Sequence, residues 1–428
     1  MANEGHKHDL IDDLVDLKRD WDAVSNPLGT VTSALSIDPD AKVPTWNPAD
    51  YKVRPRANVL NCTRCATRDA GTCSKCIDAC PVGAIKIEGY SIEIADDCRK
   101  CGLCVSACES EAFIDHLHTP RKIYDQIVQA AVSHEQCYVT CTRALGRIPR
   151  DNEVVLPCVG IVPPEVWFAV MCDHANVSVF LPLGICDKCR TVTGEAAYVN
   201  AIGQAETWSG RSVGLECDAD ALDGSKSRGY ERRQLMSSIM ETGKAAMAAA
   251  NPLVGAARAA AAAIETHTKQ LNALQRTVDD ACGVQNSQQK RRVLMQRRQM
   301  LMGALQHHSS LAANIGYEVA ACDPTKCTLC GECVKVCPTN ALDLSDDGRL
   351  TCEATHCIGC GACVRTCKDG ALTMTAGDPS ELVIPDVEAQ RRAADLKERR
   401  AEMERLKKEG MRKLSRGLDI LEGLDSDD

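Results

Sequence analysis

Two runs of cysteine decide what much of this chain can become. Cys327, Cys330, Cys333 and Cys337 stand in a C-x2-C-x2-C-x3-C pattern closed by Pro338, and Cys357, Cys360, Cys363 and Cys367 repeat it. A C-x2-C-x2-C loop can wrap three thiolates around three corners of an iron-sulfur cube, after which the chain must leave. The fourth corner is then ligated by the other half. The expected sets are therefore Cys327, Cys330, Cys333 with Cys367, and Cys357, Cys360, Cys363 with Cys337. Zinc sites use paired C-x2-C knuckles rather than a four-cysteine run, which argues for a cube here. Gly331, Gly359 and Gly361 lie inside the wrapping loops, where a missing Cβ lets backbone N–H groups approach cluster sulfurs. The segments that follow, PTNALDL and KDGALTM, correspond to each other as an internal repeat should.

Over about sixty residues this block resembles the bacterial 2x4Fe-4S ferredoxins, with every ligand position matched. Lys368 stands where that family usually has a second proline. A second block carries Cys98, Cys101, Cys104 and Cys108 in the full pattern, with Gly102 in the loop, and Cys73, Cys76 and Cys80-Pro81 as the end of another. The same crossing rule puts one cube on Cys98, Cys101, Cys104 and Cys80, and a second on Cys73, Cys76, Cys108 and one residue upstream. Spacing alone would place that ligand at Ala70, so the loop must reach back to Cys65 or Cys62. A set of Cys62, Cys65, Cys76 and Cys108 with Cys73 free is also compatible with the spacing.

The chain has 27 cysteines, an odd number crowded into short runs, and its first thirty residues have neither an apolar core nor twin arginines of an export signal. With no run of 18 apolar residues, a cytoplasmic protein without membrane insertion is expected, where reduced thiols serve as metal ligands. A formal charge of -9 and 3% aromatic content give neither the field nor the stacking platforms that nucleic acid requires.

Between the blocks, strands alternate with helical patterns, which predicts a small parallel α/β domain over 118–226. Helices are expected over 120–133, 164–172 and 195–208, with strands in QCYVTC, EVVLPCVG, VSVFLPLGICDKC and SVGLEC. Cys141, Cys158, Cys186 and Cys189 all follow strands and so meet on the carboxyl edge of the sheet, where ligands bind. From Cys137 to Cys217, with LPCVGIVPPEVWFAVM and GICDKC, the domain resembles the delta subunit of methyl-viologen-reducing hydrogenase. That resemblance implies a 2Fe-2S cluster and electron transfer to a heterodisulfide reductase. The first pair is C-x3-C here, Cys137 and Cys141, which leaves the first strand's ligand open. A zinc site, buried unliganded cysteines and a reactive Cys186/Cys189 pair are the competing readings.

The whole reads as a multidomain α+β and α/β protein: an arm (1–58), a ferredoxin-like module (59–117), the α/β domain (118–226), a helical segment (227–318), a second ferredoxin-like module (319–380) and a charged tail (381–428). The arm has one amphipathic stretch, Leu10 to Trp21, and the tail reads as a solvated or partner-docking helix. Cys172, Cys217, Cys282, Cys322 and Cys352 have no motif and read as packing residues. The expected function is electron relay through four 4Fe-4S clusters and one further cluster, of 2Fe-2S or another iron-sulfur type, as part of an oxidoreductase complex of anaerobic metabolism. Its partners would be redox proteins such as a hydrogenase, a heterodisulfide-reductase-like enzyme or a molybdopterin enzyme. The alternatives are a catalytic reductase subunit of heterodisulfide-reductase type and a metal-stapled scaffold. Dinucleotide fingerprint, P-loop and haem C-x-x-C-H are all missing from the sequence, which favours the carrier.

Overall fold

The structure is a computed structural model that describes residues 46–67, 73–222, 267–278, 292–345, 348–385 and residues 397, 399, 403 and 405. The expected helix at Leu10 to Trp21, the insertion around Ala70, Cys282, the Ala-rich stretch before residue 267 and most of the charged tail lie outside the described residues.

In the first cysteine-rich module, β1 (Arg56–Ala57) pairs antiparallel with β4 (Phe113–Ile114), so the segment's two ends meet. Between them β2 (Ile85–Glu88) and β3 (Ser91–Ile94) form a hairpin. Ile85 and Ile87 alternate with Lys86 and Glu88, which turns the apolar face of β2 onto Cys62, Cys65, Cys76 and Phe113.

The middle domain is a four-stranded parallel sheet in the order β6 (Glu153–Leu156), β5 (Cys137–Cys141), β7 (Val177–Phe180), β8 (Gly214–Glu216). Helices Pro120–Ser133, Pro164–Asp173 and Gly194–Ser209 make the crossovers. Their limits follow from local chemistry. Thr119 accepts the Lys122 N–H ahead of Pro120, and Gly210 ends the third helix at φ 66°, a conformation that costs glycine little. Trp167 and Phe168 are fully buried between sheet and helices. A helix over 267–278 and another at Gln296–His307 add Leu271, Leu274, Val278, Met300 and Leu305 to the same core. The helical segment is thus partly integral to the α/β domain.

In the last module β9 (Glu318–Cys322) pairs antiparallel with β12 (Leu372–Ala376), and β10 (Leu342–Leu344) with β11 (Leu350–Cys352). This is the arrangement of the first module again: outer strands joined end to end, with a second antiparallel pair between them.

Candidate iron-sulfur centres

Each complete cysteine run is shaped by backbone that bends through the left-handed region. Two residues after the first cysteine stand Lys100, Leu329 and Gly359, with φ of 53°, 57° and 68°. One residue after the second cysteine stand Gly102, Gly331 and Gly361, at 77°, 73° and 66°. Each glycine then begins a short helix carrying the third cysteine: Leu103–Ala107, Glu332–Val336 and Ala362–Thr366. At the three glycines the demand is conformational. The space of a Cβ at Gly102 is moreover taken by Ile161, whose Cδ1 would lie 2.2 Å from it, so this glycine also lets the middle domain pack on the loop.

The fourth cysteine of each repeat has a device of its own. Cys80, Cys108, Cys337 and Cys367 each accept a hydrogen bond at Sγ from the backbone N–H four residues on, Ala84, Ala112, Ala341 and Ala371, at 3.2, 3.3, 3.3 and 3.3 Å. The intervening residue, Gly83, Glu111, Asn340 or Gly370, is left-handed each time and turns that N–H back onto the sulfur. All four alanines are buried. The C-x3-A spacing recurs at the fourth cysteine of every repeat and was the signal available for this feature.

The thiols gather in the crossed sets. Burial, then the charges of Cys101, Cys98, Cys76 and Cys80, push the Cys104 thiol up. Burial, then Cys360, Cys357 and Cys337, push Cys363 up to about 12. Cys327, Cys330, Cys333 and Cys367 line one cavity together. Cys62, Cys73, Cys76 and Cys108 line another, and Cys76 is pushed up to about 12 by burial and by Cys108, Cys62 and Cys73. Of the two upstream candidates the structure brings Cys62 to that cavity. Cys65 stands behind it, hydrogen-bonded to Cys62 and raised to about 11 by burial first and then by that neighbour. Grouped thiols held protonated first by burial and then by one another's charge are a donor set that a cation completes, because a bound metal compensates the buried negative charge. They fit iron-sulfur clusters. Among the described residues no three His, Cys, Asp or Glu side chains close on a single metal ion.

In the middle domain burial, then the charges of Cys141, Cys101 and Cys189, pushes the Cys158 thiol up; burial, then Cys189, raises Cys141, and Cys186 is raised to about 11 by burial, then Glu195, Cys141 and Cys189. Cys137 stays apart: at the opposite end of β5 from Cys141, fully buried, its Sγ lies 3.8 Å from the Ile127 carbonyl. The carboxyl edge of the sheet therefore gathers Cys141 and not Cys137. Gly194, missed by the sequence reading, lets its backbone pass Cys158, whose Sγ would be 2.7 Å from a Cβ there.

Two cysteines read as packing residues do pack against the core of the last module, and they also stand beside candidate ligands. Cys322 is hydrogen-bonded to Cys327, and Cys352 to Cys357, each five residues ahead of the cysteine it meets. The bond from Cys352 is the largest influence on Cys357 and lowers its pKa. The C-x4-C spacing occurs in both repeats and was available as a signal.

Paired antiparallel modules with crossed thiol sets define a protein of ferredoxin architecture. Models of the 4Fe-4S binding domain match residues 95–111, 323–343 and 354–370. Over 42 residues, 9% of this chain, it is 38% identical to a ferredoxin of Methanothermococcus thermolithotrophicus, covering 70% of that protein. An uncharacterized ferredoxin of Methanocaldococcus jannaschii is also 38% identical over 42 residues, 9% of this chain and 68% of its own length. No solved structure matches the chain. Through these domains the chain belongs to the 4Fe-4S ferredoxin family, and the domains imply an iron-sulfur electron-transfer role. No helix among the described residues is long and apolar enough to cross a membrane.

Proposed function

We propose that this protein is a cytoplasmic electron-transfer subunit that holds four 4Fe-4S clusters in its two ferredoxin-like modules and a 2Fe-2S cluster in its middle domain. The observation that carries the proposal is the crossing: Cys80 and Cys108, and likewise Cys337 and Cys367, each stand with the three cysteines of the opposite repeat. A cube with a thiolate on every iron supplies reversible one-electron chemistry and offers no iron to a substrate. The cysteines would hold each cube by its four irons. The N–H groups of Ala84, Ala112, Ala341 and Ala371 stabilise the negative sulfurs, and the buried alanines keep water from them. Cys141, Cys158, Cys186 and Cys189 would hold the fifth cluster, an assignment supported by their shared sheet edge and the resemblance to the hydrogenase delta subunit. The partners would be a hydrogenase, a heterodisulfide-reductase-like enzyme or a molybdopterin enzyme in one oxidoreductase complex.

Anaerobically purified protein should be brown and carry about 16 irons from the modules and about two more from the middle domain. Fewer than about eight irons, or stoichiometric zinc in their place, would overturn the proposal. Substrate turnover by the purified chain alone would make it an enzyme.

A further inference from the structure

Although about 220 residues of sequence separate the two cysteine blocks, one residue of the second reaches a cavity of the first. Cys360 lines the cavity formed by Cys62, Cys73, Cys76 and Cys108. Helix Ala362–Thr366, which follows Cys360, packs against helix Thr63–Ala66, which follows Cys62. The first module also meets the middle domain: Ile161 fills the space over Gly102, and the Thr193 hydroxyl donates to the Ala79 carbonyl at 2.7 Å. That contact sets Cys158 within reach of the charge of Cys101. The modules are thus not independent ends of a chain. The first module contacts both the middle domain and the other module.

We infer that the cysteine groups form one unbranched series: Cys141/158/186/189, then Cys80/98/101/104, then Cys62/73/76/108, then Cys337/357/360/363, and last Cys327/330/333/367. This rests on the electron-transfer reading above and adds the order of the centres and the position of the ends. Within each module the step is made by the crossing, since each fourth cysteine leaves one repeat to serve the other. Between modules it is made at Cys360. Each step oxidises one group by one electron and reduces its neighbour by one, so the series needs a one-electron donor protein at one end and a one-electron acceptor protein at the other. The exposures agree with that order. Cys330 of the last group is exposed, whereas its counterparts Cys101 and Cys360 in the inner groups are half-buried. At the other end Leu183 and Val192, flanking Cys186 and Cys189, are also exposed.

Full-length C76S, C360S and C101S, purified anaerobically and reduced with dithionite, test the series by electron paramagnetic resonance. Neighbouring reduced clusters broaden one another's lines, and the lines of each group are assigned by their loss in its own variant. C76S should lose about four irons and narrow the lines of the group containing Cys360. C360S should do the reciprocal, so either variant decides the junction if the other fails to load. C101S, one group further along, should leave the C-terminal lines unchanged. Lines of the Cys360 group that ignore C76S, or that respond to C101S as strongly, overturn the order while leaving the relay reading intact. Fewer than about eight irons in the unsubstituted protein overturns both.

Discussion

In the C-terminal module both repeats bend around their thiols by the same two left-handed residues, Leu329 and Gly331 in one, Gly359 and Gly361 in the other. The N-terminal module does this once, at Lys100 and Gly102. Its remaining repeat has Ser74 at φ -122° where the others place a left-handed glycine, and Cys76 sits in the short helix Lys75–Asp78. The further thiol at that cavity is Cys62, at the start of a separate helical turn. The same donor set is therefore reached by two routes. A wrapped loop encodes its ligands in local backbone, whereas the composite site depends on one helix being held against another, and its specificity lies in tertiary packing.

The sharpest way to break this comparison is at the composite site. C62S should cost the protein about four irons, while C65S should cost none, because Cys65 stands behind Cys62 and off the cavity. Iron analysis of the two full-length variants decides; the reverse pattern would transfer the ligand to Cys65.

A smaller effect is expected where the two C-terminal repeats differ. Gly359 occupies the place of Leu329, at φ 68°, and a Cβ there would lie 3.2 Å from the Glu318 carbonyl. G359A should destabilise the holoprotein by about 1–3 kcal/mol, whereas L329G should change it by less than about 1 kcal/mol, relief of the left-handed strain being offset by the entropy of glycine. Thermal bleaching of the visible absorption should come several degrees earlier in the first variant and hardly move in the second.

The smallest effect concerns charge. Arg298 is half-buried, donates to the Cys357 carbonyl at 2.6 Å and lies 5.2 Å from the centre of the Tyr317 ring. Burial is the largest influence on it and draws its pKa down, yet a guanidinium stays charged in proteins. A fixed positive charge beside one C-terminal group favours its reduced form. R298Q should lower that cluster's potential by about 40 mV, equivalent to about 1 kcal/mol, and leave the N-terminal potentials in place. Redox titration followed by electron paramagnetic resonance would measure it.

The local parts of this architecture were legible before any coordinates. The spacing from Cys327 to Cys367 implied the crossing because a loop can wrap only three corners of a cube, and the helix over 120–133 could be delimited from Thr119-Pro120 and the apolar period. Cys141 could not be separated from Cys137 by spacing, since what distinguishes them is which end of β5 each occupies. Cys322 and Cys352 read as packing residues because the C-x4-C spacing before each run belongs to no ligand motif, although it recurs in both repeats. The seating of Cys360 against the first module was illegible for a related reason: no periodicity encodes how two distant modules meet.

Cys330, exposed while its counterparts Cys101 and Cys360 are half-buried, has a consequence beyond partner access. A thiolate that a redox partner can approach closely is also one that dissolved oxygen can approach. Damage would begin at that terminus, and the first lesion would disconnect the chain from one partner while the inner centres still held their metal. Such a protein would keep its colour after losing its use, so the durability of the complex is set by its most accessible cysteine and not by the average protection of the rest.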